Sequence, residues 1–447
     1  MGWSRTWVAS GWTLVLLLAS LALASPARAT PQDLFGLGVR TTATGMTGVS
    51  YSDTWEATYT NPAGLARIRR RQIAIGLSGG TYELQLDGAR YPIEPARGLT
   101  IGFALPLPFG DVLRDRLVFA GGFYTPANVL LRGQVRFAEL PQWSVVDRAQ
   151  CLAINVGLGI DLADLVPGLH LGLGVSALAN VVGDLTVSLD QTNAFQSVVE
   201  TQLLASFSPI AGVAIDQPNW GVGLVYRHEV RSEMNLHIVL MNLPVELPVL
   251  TIGALVQYDP AQAAVEGYYL VDPNVRLVVN LTWRLWSFYP GPYRPTTAGS
   301  FLPPAPQFHD TVSPRVGIEG TIRAGNADLV LRGGYALELS PSPGAFFGPQ
   351  RNADGSNVMN GADIVPMALR ILDNDRHVLT AGFGLTYHFS STEALHLDLW
   401  GQLHALVDRR NPITQTATMP PAMGDTTPGM LTSGFIVVGG WMVGLEF

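Results

Sequence analysis

From Leu395 onward, Leu395, Leu397, Leu399, Leu403 and Val407 share one parity, while His396, Asp398, Gln402, His404 and Asp408 share the other. The segment from Val275 sets Val275, Leu277, Val279, Leu281, Trp283 and Leu285 against Arg276, Asn280, Thr282 and Arg284. From Leu152, an apolar row of Leu152, Ile154, Val156, Leu158, Ile160 and Leu162 opposes Asn155, Gly157, Gly159 and Asp161. Similar patterns begin near Leu169, Trp220, Leu250, Val316, Leu329 and Leu379. Successive side chains of a strand point to opposite faces, so these segments are strands with one apolar and one polar face. A soluble sandwich also alternates, but it seldom lines up so many large apolar residues on one face so often. A wall with lipid outside and a polar lumen inside requires that pattern. The chain is therefore expected to be all-β, a transmembrane antiparallel β-barrel.

About fourteen strands are expected, near 72–87, 97–107, 116–137, 150–163, 168–189, 197–216, 219–241, 244–259, 274–288, 312–324, 327–340, 377–389, 394–408 and 433–447. Short links follow strands two, four, six, ten and twelve, as at Asp216 to Asn219 and Gly325-Asn326. Long ones follow odd-numbered strands, including Pro290 to Pro306, Ser340 to Arg376 and Arg409 to Thr432. Bacterial barrels alternate short periplasmic turns with long external loops, so both termini belong in the periplasm and the strand number is even. The link after strand eight, Asp259 to Pro273, is longer than this rule prefers. In the last strand Phe435, Val437, Trp441, Val443, Leu445 and Phe447 form one apolar face. Its aromatic last residue, Phe447, resembles the signal read by the barrel insertion machinery.

Arg5, an apolar run from Thr13 to Ala24 and Ala27-Arg28-Ala29 read as a cleavable export signal over residues 1–29. The mature chain then starts at Thr30 and has 418 residues, 447 minus 29. Its apolar runs are too short for spanning helices, each of which needs about 20 residues. Loss of Arg5 and Arg28 takes the formal charge from -8 to -10, which argues against nucleic acid as a partner. Cys151 is the single cysteine, so neither an intrachain disulfide nor a cysteine-rich metal site is available. The address implied is the outer membrane of a Gram-negative bacterium, with outer-membrane lipid as the surroundings and a monomer as the expected state.

Residues 30–71 do not alternate and are rich in Gly and Thr. Asn61 suits an N-cap and Pro62 a first helical position, so a short helix is expected there. A segment of this size ahead of a barrel sits either outside as a periplasmic domain or inside as a plug. About fourteen strands would otherwise enclose an open channel, which makes a plug physically sensible. The run Asn61-Pro62-Ala63-Gly64-Leu65-Ala66, just before the first strand, resembles the signature of the FadL/TodX family of outer-membrane transporters of hydrophobic compounds. Three further blocks, at 308–320, 331–343 and 373–389, are similar to that family's later strands, while residues 87–240 carry no matching motif. The resemblance implies three parts: signal peptide 1–29, an N-terminal hatch at 30–71 marked by Asn61, Pro62, Ala63 and Gly64, and a barrel at 72–447. It also implies passive uptake of hydrophobic small molecules, long-chain fatty acids first among them. A kink in the third strand would open the wall sideways, and the matching region here holds Gly121, Gly122 and Pro126.

A hydrophobic ligand with an anionic head needs an apolar channel and a cation to offset desolvation of its carboxylate. Parity places Arg276, Arg284, Arg315, Arg332 and Arg227 in the lumen, with His396 and His404. For each arginine the plainer role, pairing with a lumenal acid such as Glu319, Glu338 or Asp398, ranks first. Trp286 and Trp400 fall on otherwise polar faces and suit a channel lining or packing against the plug. Phe288, Tyr289, Tyr293, Phe301, Leu302, Phe346 and Phe347 sit in loops as a capture site for ligand; Phe288 and Tyr289, nearest strand ends, better suit an aromatic girdle. Two other functions compete: a barrel enzyme acting on lipids, and a general porin. No nucleophile elbow or paired metal-ligand spacing appears, so no catalytic residue, metal or cofactor is assigned. His396 and His404 would lie about 27 Å apart along one strand, too far for a common site.

Overall fold

A computed structural model describes residues 31–110, 116–127, 137–143, 152–189, 195–241, 250–294, 301–411, 414–415 and 429–447. The export signal, Thr30, Cys151, the upper part of the third expected strand and much of Arg409 to Thr432 lie outside the described residues. Sixteen strands carry the architecture. The first nine are β1 (Gln72–Leu86), β2 (Ala96–Pro106), β3 (Leu117–Pro126), β4 (Ala153–Asp161), β5 (Leu169–Leu189), β6 (Phe195–Asp216), β7 (Trp220–Arg227), β8 (Val230–Met241) and β9 (Leu250–Asp259). They continue as β10 (Gln262–Asp272), β11 (Val275–Arg284), β12 (Thr311–Ala324), β13 (Ala327–Glu338), β14 (Arg376–His388), β15 (Ala394–Leu406) and β16 (Met430–Glu446).

Fourteen of these close one antiparallel ring in chain order, with β7 pairing directly to β10 and β16 returning to β1. The closing seam runs from Gln72↔Glu446 to Leu86↔Thr432. Beyond it, Arg71 and Phe447 exchange backbone hydrogen bonds of 3.1 and 3.0 Å. Ring closure leaves the wall without an open edge, which a lone sheet cannot achieve. Polarity follows the alternation in the sequence. On β11 the outward Leu277, Val279, Leu281 and Trp283 are 43–61% exposed, while the inward Val278, Asn280, Thr282 and Arg284 are at most 4% exposed. On β16 Phe435, Val437, Trp441 and Leu445 face out in the same way.

The strand count agrees with expectation, but two strands differ in identity. Residues 219–241 were expected as one wall strand and 244–259 as the next. Instead the wall strand ends at Arg227, and β8 and β9 form a separate hairpin whose first strand runs parallel to the upper part of β5. The eighth wall strand is β10, which falls in the long link expected at Asp259 to Pro273. The physical reason lies in burial. Ala254, Leu255, Gln257, Tyr258 and Asp259 are all buried, so the described side chains of β9 form no outward apolar row, whereas Val265, Tyr269 and Val271 of β10 are 47–59% exposed. With β10 in place, the link to β11 shrinks to Pro273-Asn274 and the rule of short turns holds.

The ninth expected strand also stops early, at Arg284. A 3-10 turn, Trp286–Phe288, folds the chain back over the barrel mouth, the end away from the termini. Trp286 is therefore not on a strand face; it packs with Tyr258, Tyr289, Phe308 and Phe346 in a buried aromatic cluster. Tyr289, assigned to a girdle from its position, is 4% exposed in that cluster, and Phe288 is 67% exposed.

Residues 31–68 pack against inward-facing positions of the wall strands. They form α1 (Pro31–Phe35), α2 (Arg40–Ala43), α3 (Ala57–Thr60) and a 3-10 turn, Pro62–Arg67. The short helix expected at Asn61 is this turn: the Asn61 side chain accepts from the Ala63 N–H at 3.0 Å, and Pro62 occupies its first position.

Candidate ligand channel

The Pro62–Arg67 turn rests on inward-facing glycines of β4, β5 and β6. A Cβ added at Gly172 would lie 2.1 Å from the Ala63 nitrogen, and one at Gly212 would lie 1.8 Å from the Asn61 Oδ1. Only glycine permits such an approach. Asn61 completes the seat by donating to the carbonyls of Val49 at 2.6 Å and Val213 at 3.2 Å. Leu65 and Ala66 are fully buried, and Gly64 sits against the Ser52 carbonyl. On the opposite wall, Gly317 and Gly334 receive Thr44 and Gly45 in the same manner. The signal available in the sequence was glycine at inward parity, as at Gly157 and Gly159, which faces a packed segment rather than open water.

Carboxylates tie this segment to the wall. Glu266, unremarked in the sequence, accepts from the N–H groups of Gly48 and Ser50, the Ser50 hydroxyl and the Asn280 amide, at 2.8–3.1 Å. Arg67 chelates Asp216 at 2.6 and 3.0 Å, and His170 lies 3.2 Å from the same carboxylate. Inside the segment, Glu56 accepts from the N–H groups of Val39, Arg40 and Thr41 at 2.8–3.1 Å. Burial pushes Glu56 above the usual carboxylate range, and those donors pull against the shift.

All four candidate arginines face the lumen, and each has an acidic partner. Glu319 takes Arg40 and Arg276 at 2.8 Å and Arg332 at 3.0 Å, and Arg332 also reaches Asp398 at 2.6 Å. Glu338 takes Arg284 at 2.6 Å and Arg315 at 2.8 Å; Arg284 further lies 3.5 Å from Asp33. Arg227 donates to the Tyr59 carbonyl, with its guanidinium 3.7 Å from the centre of the Tyr59 ring. Trp400 is half-buried on the lumenal face of β15, against Phe35 and Met442. His396 and His404 stay apart, one beside Glu446 and the other edge-on to Phe35.

Among the cavities that adjoin residues 31–68 of the described chain, three bear on a ligand path. One, of about 50 Å³, is lined by Arg227, Arg284, Arg315, Gln262, Tyr59 and Asp33, with Gln32, Gly36 and Leu37 along one side. The second, of about 30 Å³, is lined by Phe35, Leu37, Tyr124, Trp400, Val438 and Met442 and shares Gln32, Gly36 and Leu37 with the first. The third, of about 340 Å³, is polar and opens near the chain termini.

Gly121 and Gly122 sit in mid-ladder. β3 pairs with β2 from Gly98↔Pro126 to Pro106↔Val118 and with β4 from Leu117↔Ile160 to Tyr124↔Ala153, without a shift of register. Gly122 faces inward under Trp55.

No protein-family model and no curated protein sequence matches the chain. Solved structures do. A Pseudomonas aeruginosa FadL homologue aligns over 95% of this chain and 98% of its own, with 14% identity and a TM-score of 0.53. The P. putida toluene transporter TodX aligns over 93% and 99%, with 13% identity and a TM-score of 0.53. From end to end, the chain has the fold of the FadL homologue and TodX, the likeness already visible in Asn61-Pro62-Ala63-Gly64-Leu65-Ala66.

Proposed function

We propose that this chain is an outer-membrane channel for passive uptake of hydrophobic molecules, with long-chain fatty acids as its favoured cargo. On this reading residues 30–71 act as a hatch inside a barrel at 72–447, export removes residues 1–29, and the ends of the wall strands at the termini face the periplasm. The observation that carries it is the adjacency of two cavities across Leu37, one walled by Phe35, Trp400 and Val438 and the other by Arg227, Arg284 and Arg315. An amphipathic anion matches that pair, because a desolvated carboxylate needs a charged donor that stays protonated. The wall supports the membrane location: its outward rows are apolar around the whole ring.

Two measurements test the proposal. Cells without a fatty-acid channel of their own should take up oleate when they make this protein, and Arg227→Gln, which keeps a donor for the Tyr59 carbonyl, should raise the KM for oleate and leave toluene uptake unchanged. Uptake of toluene without oleate would remove the fatty-acid assignment. Deleting Gly36 to Leu65 should raise leakage of small solutes from liposomes carrying the barrel, and unchanged leakage would count against a hatch.

A further inference from the structure

We infer that the outward face of β4–β7 holds a phospholipid of the bilayer in a fixed place, with one acyl chain lying in a trough over Ala211. The site is on the outer side of the wall and is independent of the cargo.

The trough follows from residue size across one register row. Leu158 of β4 pairs with Leu173 of β5, Leu173 with Ala211 of β6, Ala211 with Tyr226 of β7, and Tyr226 with Ala263 of β10. All five share the outward parity, so the row runs large, large, small, large, small. In the next outward row Ile160, Leu171, Val213 and Leu224 pair in the same order. A low strip along β6, Ala211 and Val213, is thus flanked by Leu171 and Leu173 on one side and by Leu224 and Tyr226 on the other. Leu173 is 68% exposed and Leu224 55%, so both flanks stand out from the wall. These residues bound an open cavity of about 670 Å³ whose lining is almost wholly apolar, a size within the roughly 300–1,000 Å³ of ligand sites. The floor does not yield, because Gly172 and Gly212 carry the Asn61–Ala63 turn against their inner side.

Depth in the membrane identifies the occupant. Trp220 and Tyr269 pair near one end of β7 and β10, and six residues further along β7, Tyr226 shares the row of Ala211, Ala263 and Trp283. These four aromatic side chains are 44–56% exposed. Girdles of aromatic residues flank the apolar band of an outer-membrane barrel. Val213 and Leu224 lie between the two aromatic rows, so the trough runs within the hydrocarbon and ends at a girdle. It is continuous with the lipid-facing wall, and what fills it there is an acyl chain. At the girdle end the Tyr226 Oη and the His228 Nδ1 are 3.0 Å apart and exposed, which sets polar groups where a lipid ester begins. The outward row of β11, with Leu277, Val279, Leu281 and Trp283, has no small member and offers no such seat. A chain in the trough meets side chains on three sides rather than one, and these added dispersion contacts hold it.

Native mass spectrometry of the full-length barrel in mild detergent, supplied with a phosphatidylethanolamine that carries a photoreactive diazirine in one acyl chain, tests the site. A single phospholipid should stay bound after the others strip away, and after illumination its crosslinks should fall on β5, β6 and β7. Ala211→Trp fills the trough from the lipid side and should lower retention about tenfold, the effect of a few methylene groups losing their seat. Leu331→Trp, on the outward face of β13, should leave retention unchanged. Both variants are compared at matched compact electrophoretic mobility, and if Ala211→Trp does not fold, the crosslink map of the wild type decides alone. Crosslinks spread evenly around the ring, or undiminished retention in folded Ala211→Trp, would overturn the site. A barrel dimer that Ala211→Trp dissociates would overturn it in favour of a second copy of the chain, and crosslinking by a photoreactive oleate but not by the phospholipid would do so in favour of cargo.

Discussion

Glu319 holds three guanidinium groups within 3.0 Å, and its side chain is 8% exposed. One of the three, Arg40, belongs to the segment that precedes the first wall strand; the other two, Arg276 and Arg332, belong to the wall. The carboxylate thus joins them. Removing one member of a buried ionic group strands the rest and costs about 3–5 kcal/mol. Glu319→Gln should therefore lower the unfolding free energy of the barrel in lipid vesicles, read from a urea titration, by that amount. Glu83→Gln is the contrasting case: its pair with Arg90, at 2.8 Å, is 39% and 69% exposed, and an exposed pair contributes about 0–1 kcal/mol. Equal effects from the two substitutions would show that Glu319 carries no special connection. The acids Glu319, Glu338 and Asp398 were legible as partners for lumenal arginines. Glu266 was not, because its strand was taken for a loop.

At the scale of elements, β10 and the β8–β9 hairpin exchange the roles suggested by their sequences. Leu250–Asp259 has a dense run of strand-forming residues, while Gln262–Asp272 is diluted by Ala263, Ala264 and Gly267. Local pattern favours the first, yet pairing Arg227↔Gln262 across a ring of fixed register selects the second. Alternation reports that a strand exists; which neighbour completes the ring is a nonlocal property. Two outcomes follow. Excising Val230 to Asp259 and joining β7 to β10 with a short glycine linker should leave a folded barrel with its heat-modifiable mobility. Tyr269→Arg, on the outward face of β10, should destabilise the barrel by about 2–4 kcal/mol if it sits near the membrane midplane, and by less nearer an interface. A barrel lost with the hairpin, or indifferent to Tyr269→Arg even at the interface, would place the wall elsewhere.

At the scale of the whole molecule, the last residue closes the ring, since Phe447 and Arg71 pair just outside the β1–β16 seam. Phe447 is 53% exposed on the outward face. Deleting it should leave the lumenal contacts untouched yet reduce the amount of barrel reaching the outer membrane, measured by fractionation, and an undiminished yield would show that the terminal aromatic is not read during insertion. The sequence by itself determined the all-β architecture, the even strand number and the apolar outer face. Each of these depends on a period of two within one strand or on the length of one loop, and such properties are local. Only the tertiary structure decided which segment is the eighth wall strand, where Trp286 and Tyr289 go, and which carboxylate meets which arginine. Arg40 and Glu319 are 279 residues apart, and a contact of that span depends on the registers of all the strands between them.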